Sequence, residues 1–154
     1  MRVVIGADHR GVETARELVE KLAREGYETR LAHSCDGQAV DYPERAWDAC
    51  HMIKNGEAEL GVLVCGTGIG MSIAANKIPG IRAAVAHDEL TAQLSRSHND
   101  ANVLCISADL LGLRLIEKIV EIFLKTPFEG GRHQRRVNKI AAMERGENPA
   151  TVTG

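Results

Sequence analysis

The stretch Gly61-Val62-Leu63-Val64-Cys65-Gly66-Thr67-Gly68-Ile69-Gly70-Met71-Ser72 constrains the fold of this chain most. It opens as a short apolar run with β-branched residues. That is the pattern of a strand covered on both faces, as in parallel sheets flanked by helices. Glycines at positions 66, 68 and 70 then break the strand, and Met71 to Asn76 suits a helix start. A thiol is therefore predicted at the end of a central strand, just ahead of a glycine loop and a helix N-terminus. Unpaired backbone N–H groups and the helix dipole suit such a place to an anion or a developing oxyanion. They also favour a thiolate over a thiol. Two blander meanings stand beside this one. A cysteine at a strand end is more often a small buried hydrophobe. The glycines match neither the dinucleotide fingerprint, where Met71 occupies a glycine position, nor the G-x-x-x-x-G-K-[ST] phosphate loop.

The rest of the chain repeats the strand–helix alternation. Residues 2–7 read as a first buried strand, ended by Asp8-His9-Arg10-Gly11. Val12, Ala15, Leu18, Val19 and Leu22 then recur at helical spacing up to Gly26. Further strands are predicted over 27–31, 60–64, 81–86 and 102–107. Helices are predicted from Pro43 to about Gly56, from 89 to 97 behind an Asp88 cap, from 113 to 124 and from 133 to 144. Residues 33–42 read as a polar loop, and 146–154 as a disordered tail. The expectation is an α/β fold: a single domain over residues 1–145, three-layered and Rossmann-like, with a five-stranded parallel sheet and helices on both faces. Ligands in such a sheet bind outside the carboxyl ends of the strands. In the helix over 113–124, Leu115, Ile122 and Leu124 widen the apolar face beyond one stripe, which predicts burial on a second side by another subunit.

Composition removes several functions. The chain has 154 residues, enough for one domain with a real core. A net charge of −2, with one Trp, two Tyr and two Phe, argues against a nucleic-acid partner. No signal peptide or long apolar span is visible, which predicts a cytoplasmic protein with no membrane partner. The cysteines at 35, 50, 65 and 105 form no C-x-x-C pair, so neither structural zinc nor a disulfide framework is expected.

Two polar clusters remain. Ser97-His98-Asn99-Asp100 joins a helix to a strand. A helix that follows a parallel strand runs back to the amino ends, so His98 is expected at the edge opposite Cys65. If His98 acts at that thiol, a neighbouring chain supplies it. Gly130-Gly131-Arg132-His133-Gln134-Arg135-Arg136-Val137 is the densest basic run. Arg132 and Arg136, four apart, share a helix face and match a phosphate dianion.

Together, Gly6-Ala7-Asp8-His9, Asp41-Tyr42-Pro43, Cys65-Gly66-Thr67-Gly68-Ile69-Gly70, Ser72-Ile73-Ala74-Ala75-Asn76-Lys77, Ser97-His98-Asn99-Asp100 and the basic run resemble the ribose-5-phosphate isomerase B family, over residues 1 to about 144. That family includes the galactose-6-phosphate isomerase subunits. The resemblance implies reversible aldose–ketose isomerisation of a sugar phosphate, with ribose 5-phosphate to ribulose 5-phosphate foremost and allose or galactose 6-phosphate as alternatives. It implies no metal or organic cofactor, and a homodimer or homotetramer whose active sites are shared between two subunits.

By the same resemblance, Cys65 is the general base that moves a proton between C2 and C1 through an enediolate. Thr67 and His98 open the sugar ring. Backbone groups of Gly66, Gly68, Gly70, Met71 and Ser72 hold the enediolate oxygen. Asp8, Tyr42 and Asn99 contact or support the sugar hydroxyls, and His9, Arg132 and Arg136 bind the phosphate. One position departs from the pattern: Asp109 stands where many relatives carry a phosphate-contacting arginine. Arg10, Arg114 or Arg135 then substitutes, or the substrate sits differently, or Asp109 points away. A non-catalytic nucleotide- or sugar-phosphate-binding module is the competing expectation, with Asp88 twenty residues after Gly68 as a faint ribose ligand. A structural subunit that needs a second protein is a third.

Overall fold

The computed structural model describes residues 1–33 and 40–153. Most of the polar loop expected over 33–42, with Cys35, lies outside the described residues. The apolar runs form strands β1 (Arg2–Ala7), β2 (Glu28–Leu31), β3 (Leu60–Cys65), β4 (Ala83–Val85) and β5 (Val103–Ser107). Helices α1 (Val12–Arg24), α2 (Tyr42–Lys54), α3 (Ile69–Ala75), α4 (Glu89–Asn99), α5 (Leu113–Lys125) and α6 (Arg132–Glu144) alternate with them. The five strands form one parallel sheet in the order β2-β1-β3-β5-β4.

All six residues of β3 are buried, as a central strand with helices on both faces requires. Its side chains divide between two cores. Val62 and Val64 join Val3, Ile5, Leu104 and Ile106 beneath α1 and α5. Leu63 and Cys65 join Val4, Val103 and Cys105 beneath α2 and α3, against Ala46, Ala49, Met71 and Ala75. The chain leaves β1 toward one edge of the sheet and β3 toward the other, so the topological switch lies between them. Their carboxyl ends open the crevice where ligands of such sheets bind.

The amino edge is fastened where α4 turns into β5. Asp100 sits in the left-handed region at φ 47 as the helix C-cap. Its carboxylate takes Arg82 at 2.8 Å and Arg96 at 2.9 Å. Asn102 accepts from the Arg82 N–H at 2.8 Å and donates to the Gly80 carbonyl at 2.8 Å. These bonds tie the chain just before β4 to the start of β5.

Two expectations change. The wide apolar face of α5 is used mostly within the chain: Leu124 is buried, and Ile122 packs against the same core as Phe123. Only Leu115 of the three extra positions is exposed. The other side of α5 is met largely by α4, where Arg96 lies over the Phe123 ring. Exposed apolar side chains instead lie on α2 (Trp47), α3 (Ile69, Ile73) and α6 (Ile140, Met143). The tail expected to be structureless carries a 3-10 turn over Pro149–Thr151, capped where the Asn148 side chain accepts from the Ala150 N–H at 2.9 Å.

Candidate active site

Cys65 ends β3 at the carboxyl edge, paired across the sheet with Ser107. The Gly68 N–H donates to its sulfur at 3.1 Å, a bond that orients the thiol. The other cysteines among the described residues lie deeper in the fold. Burial pushes the Cys50 thiol up to about 12 and that of Cys105 well above its ordinary range, so both remain protonated hydrophobes.

Two glycines shape the loop after Cys65. Gly68 takes φ +80, and a Cβ there would lie 3.2 Å from the Cys105 carbonyl carbon. The loop therefore turns tightly against β5 only because this residue has no side chain. A Cβ on Gly70 would lie 2.8 Å from the Tyr42 ring, so Tyr42, at the start of α2, packs directly on the loop. The Thr67 hydroxyl accepts from the Ile69 N–H at 3.3 Å, and His87 Nε2 lies 3.1 Å from the Thr67 carbonyl.

The amides of this loop do not all remain available. Gly68 spends its N–H on the thiol and Ile69 on Thr67, while Ser72 donates to the Gly68 carbonyl at 3.1 Å. First-turn amides lack intrahelical acceptors, and among them that of the part-exposed Gly70 can face a ligand. The Met71 side chain is fully buried in the core, and Ser72 Oγ lies 3.4 Å from the Ala83 carbonyl. Met71, expected at the ligand, is thus sealed within the core, and the half-buried Ser72 turns its hydroxyl toward β4.

The loop after β1 lies alongside. Buried Asp8 accepts from the N–H groups of Arg10 at 2.9 Å and Gly11 at 3.2 Å through one carboxylate oxygen. His9 is exposed at the same edge. Asp109 reaches this region from the loop after β5. Its side chain forms an ion pair with Arg10 at 2.7 Å, and its N–H donates to the Gly66 carbonyl at 3.2 Å. At position 109 the carboxylate faces Arg10.

His98, Asn99, Arg132 and Arg136 occupy other ground. His98 and Asn99 end α4, which runs antiparallel to the strands and delivers them to the amino edge as expected. β5 alone, five residues long, separates the edges by about 16 Å. His98 stacks on His133, with ring centroids 4.2 Å apart and planes 7° apart. Gly130 and Gly131, at φ +67 and +55, turn the chain into α6 so that His133 points inward while Arg132 and Arg136 stay exposed. Asn99 lines a groove of about 710 Å³ along edge strand β4, with Asn76, Ala83, Ile140 and Met143.

His98, Glu129 and His133 could in principle hold a metal, since their donor atoms lie within 4.8 Å of one another. The neighbourhood opposes it: Arg132 Nε is 3.4 Å from His133 Nε2, and the exposed guanidinium groups of Arg132 and Arg136 suit an anion. Burial first, then His98 and these arginines, hold the His133 pKa down.

Within one chain, then, the carboxyl edge brings together Cys65, Thr67, Gly66, Gly68, Gly70, Met71, Asp8, His9 and Tyr42. The amino edge holds His98, Asn99, Arg132 and Arg136. Residue patterns gave no role to His87 or His133, whose neighbours come from distant parts of the chain. Arg10 was marked only as a stand-in at position 109.

A parallel sheet with a thiol, a buried carboxylate and a glycine loop at its switch point is the frame of a small-molecule α/β enzyme. The chain belongs to the ribose/galactose isomerase family, whose model matches residues 3–140. It is 42% identical over 147 residues to ribose-5-phosphate isomerase B of Escherichia coli, covering 96% of this chain and 99% of that one. The structure of Clostridium thermocellum ribose-5-phosphate isomerase B superposes with TM-score 0.93 at 44% identity, covering 95% of this chain and 99% of that one. The Mycoplasma genitalium ribose-5-phosphate isomerase B structure, which has bound ribulose-5-phosphate, superposes with TM-score 0.89 at 40% identity and covers 94% and 96%. This chain is an isomerase of that family. No helix among the described residues is long and apolar enough to cross a membrane.

Proposed function

We propose that the chain interconverts D-ribose 5-phosphate and D-ribulose 5-phosphate by proton transfer. The observation that carries this is the Cys65 sulfur at the sheet's switch point, held by the Gly68 N–H at 3.1 Å, in a chain of this family. Thr67 and His98 open the furanose by taking the proton from the C1 hydroxyl and giving one to the ring oxygen as its bond to C1 breaks, which leaves the C1 aldehyde and the C4 hydroxyl. Cys65, as general base, takes the proton from C2. The enediolate forms with its charge against the loop amides, that of Gly70 foremost, and Cys65 returns the proton to C1 as the hydroxyl proton passes from O2 to O1. Asp8, Tyr42 and Asn99 hold or support the sugar hydroxyls. His9, Arg132 and Arg136 bind the phosphate.

This division of labour takes two copies of the chain, in a homodimer or a homotetramer. The opposite edges occupied by Cys65 and His98 support it, as do the exposed Ile69 and Ile73 on α3 and Ile140 and Met143 on α6. The active site then lies between subunits, with His98, Asn99, Arg132 and Arg136 from one and Cys65 and its loops from the other. Cys50, Cys65 and Cys105 are free, which suits work in a reducing cytoplasm.

Proton NMR of the purified protein with ribose 5-phosphate in D2O tests the reading. Ketose should appear with deuterium entering at carbon. Turnover of allose or galactose 6-phosphate alone would keep the chemistry and overturn the pentose assignment. Inertness toward every sugar phosphate would overturn both.

A further inference from the structure

The ion pair between Arg10 and Asp109 lies where the proposed chemistry happens, and the roles assigned above do not use it. Arg10 comes from the loop after β1 and Asp109 from the loop after β5. These strands flank β3 on either side, so the pair spans the end of the strand that carries Cys65. It rests on Gly66, the residue after the thiol. A Cβ placed there would lie 2.8 Å from Asp109 Oδ2 and 4.0 Å from Arg10 Cγ. Asp109 is fixed from below as well as from the side, because its own N–H donates to the Gly66 carbonyl. Its carboxylate is therefore a placed acceptor rather than a wandering surface charge.

The guanidinium is half exposed and engages Asp109 through Nη2 alone at 2.7 Å. Among the described residues its Nε–H and Nη1–H groups donate to no other acceptor in the structure. A planar fork tethered at one corner still presents donors to an incoming oxyanion. The charge balance points the same way. Asp8, which accepts from the Arg10 backbone N–H, and Asp109, which meets its guanidinium, put two carboxylates near a mouth that must admit a phosphate dianion, and Arg10 is the cation beside them. Without it the entrance would repel the substrate.

We propose that Arg10 is a further phosphate ligand of the active site, contributed by the chain that carries Cys65, and that Asp109 is its positioning residue, aiming the guanidinium across Gly66. This rests on the sugar-phosphate reading above and names a second cationic contact on the thiol side, opposite Arg132 and Arg136. Asp109 then serves the substrate by holding its ligand, although a carboxylate alone at that place would disfavour binding.

Kinetics and phosphate binding on the whole protein test this. R10A should raise KM for ribose 5-phosphate about tenfold while kcat changes little, as loss of one charge-assisted contact does. It should raise the inhibition constant of inorganic phosphate by a similar factor. R10K, which keeps the charge but not the fork, should fall between. D109A should raise KM severalfold, and adding it to R10A should change nothing more, because Asp109 acts only through Arg10. Wild-type KM and phosphate inhibition in R10A would overturn the proposal and leave the pair as a tie between two loops. Additive losses in the double variant would overturn the positioning role of Asp109. Calorimetric titration with inorganic phosphate separates the two layers. A wild-type protein that binds phosphate through Arg10 yet isomerises no sugar phosphate would refute the function and spare the ligand. Turnover without any dependence on Arg10 would do the reverse.

Discussion

Cys65 and Cys105 belong to the same core, one strand apart, yet only one of them has a polar partner. The difference is position along the strand: Cys105 is mid-strand under helices, whereas Cys65 meets a loop whose amides are free to turn toward it. Replacing Cys65 with alanine should lower turnover about a hundred- to ten-thousandfold, the range for losing a general base, while the sugar phosphate still binds. Steady-state kinetics beside a phosphate-inhibition assay checks this. His133 makes a second prediction at this scale. Its folded-state pKa lies below the ordinary 6.5, through burial and then through His98, Arg132 and Arg136, with Glu129 opposing them. The unfolded chain therefore binds this proton more readily, and stability falls as the pH drops through about 6.5. The urea midpoint should decline on acidification from pH 7.5 to 5.5, and H133Q should flatten that decline.

The strand–loop–helix unit from β3 to α3 is the element on which the chemistry depends, and its two key glycines are constrained in different ways. Gly68 occupies left-handed backbone against the main chain of β5, which cannot give way. Gly68→Ala should cost at least about 1–2 kcal/mol in urea unfolding and take activity with it, since the amide that holds Cys65 moves. Gly70 meets only the ring of Tyr42, an exposed side chain that can swing aside. Gly70→Ala should leave the unfolding midpoint nearly unchanged and raise KM for the sugar phosphate, because Tyr42 is displaced from the loop. Equal losses of stability in the two variants would contradict this account. The sequence marked both glycines as one motif. Only the packing shows that one faces backbone and the other a movable ring.

For the whole molecule, the decisive feature is that the proposed site is split between opposite edges of one sheet. If two copies complete it, Cys65→Ala and His98→Asn proteins should each be nearly inactive, and refolding them together should restore activity. A random mixture makes half the dimers mixed, and each mixed dimer holds one intact site, so recovery should reach about a quarter of the wild-type value. No recovery would place the whole site within a single chain. Residue patterns pointed toward assembly through the broad apolar face of α5, and the structure turns that face inward instead. A helix apolar over most of its circumference is satisfied equally well by its own chain or by another, and periodicity does not say which. The exposed apolar residues on α2, α3 and α6 are one or two to a helix, and they leave no face in the sequence as broad as that of α5.

The alternation of strands and helices, the parallel sheet covered on both faces, the thiol at the end of β3 and the opposite placement of His98 are all legible in the order of residues. All of these follow from local periodicity, glycine positions and the rule that a crossover helix runs back along its strand. Only the packed chain shows that Asp109 faces Arg10, that His133 stacks on His98, that the Ser72 hydroxyl turns to β4 and that α5 is buried at home. Each of these depends on where one segment lies against another far away in the chain. Arg10 and Asp109 are 99 residues apart and meet only because β1 and β5 both flank β3. Charge and spacing in a linear sequence carry no record of that adjacency.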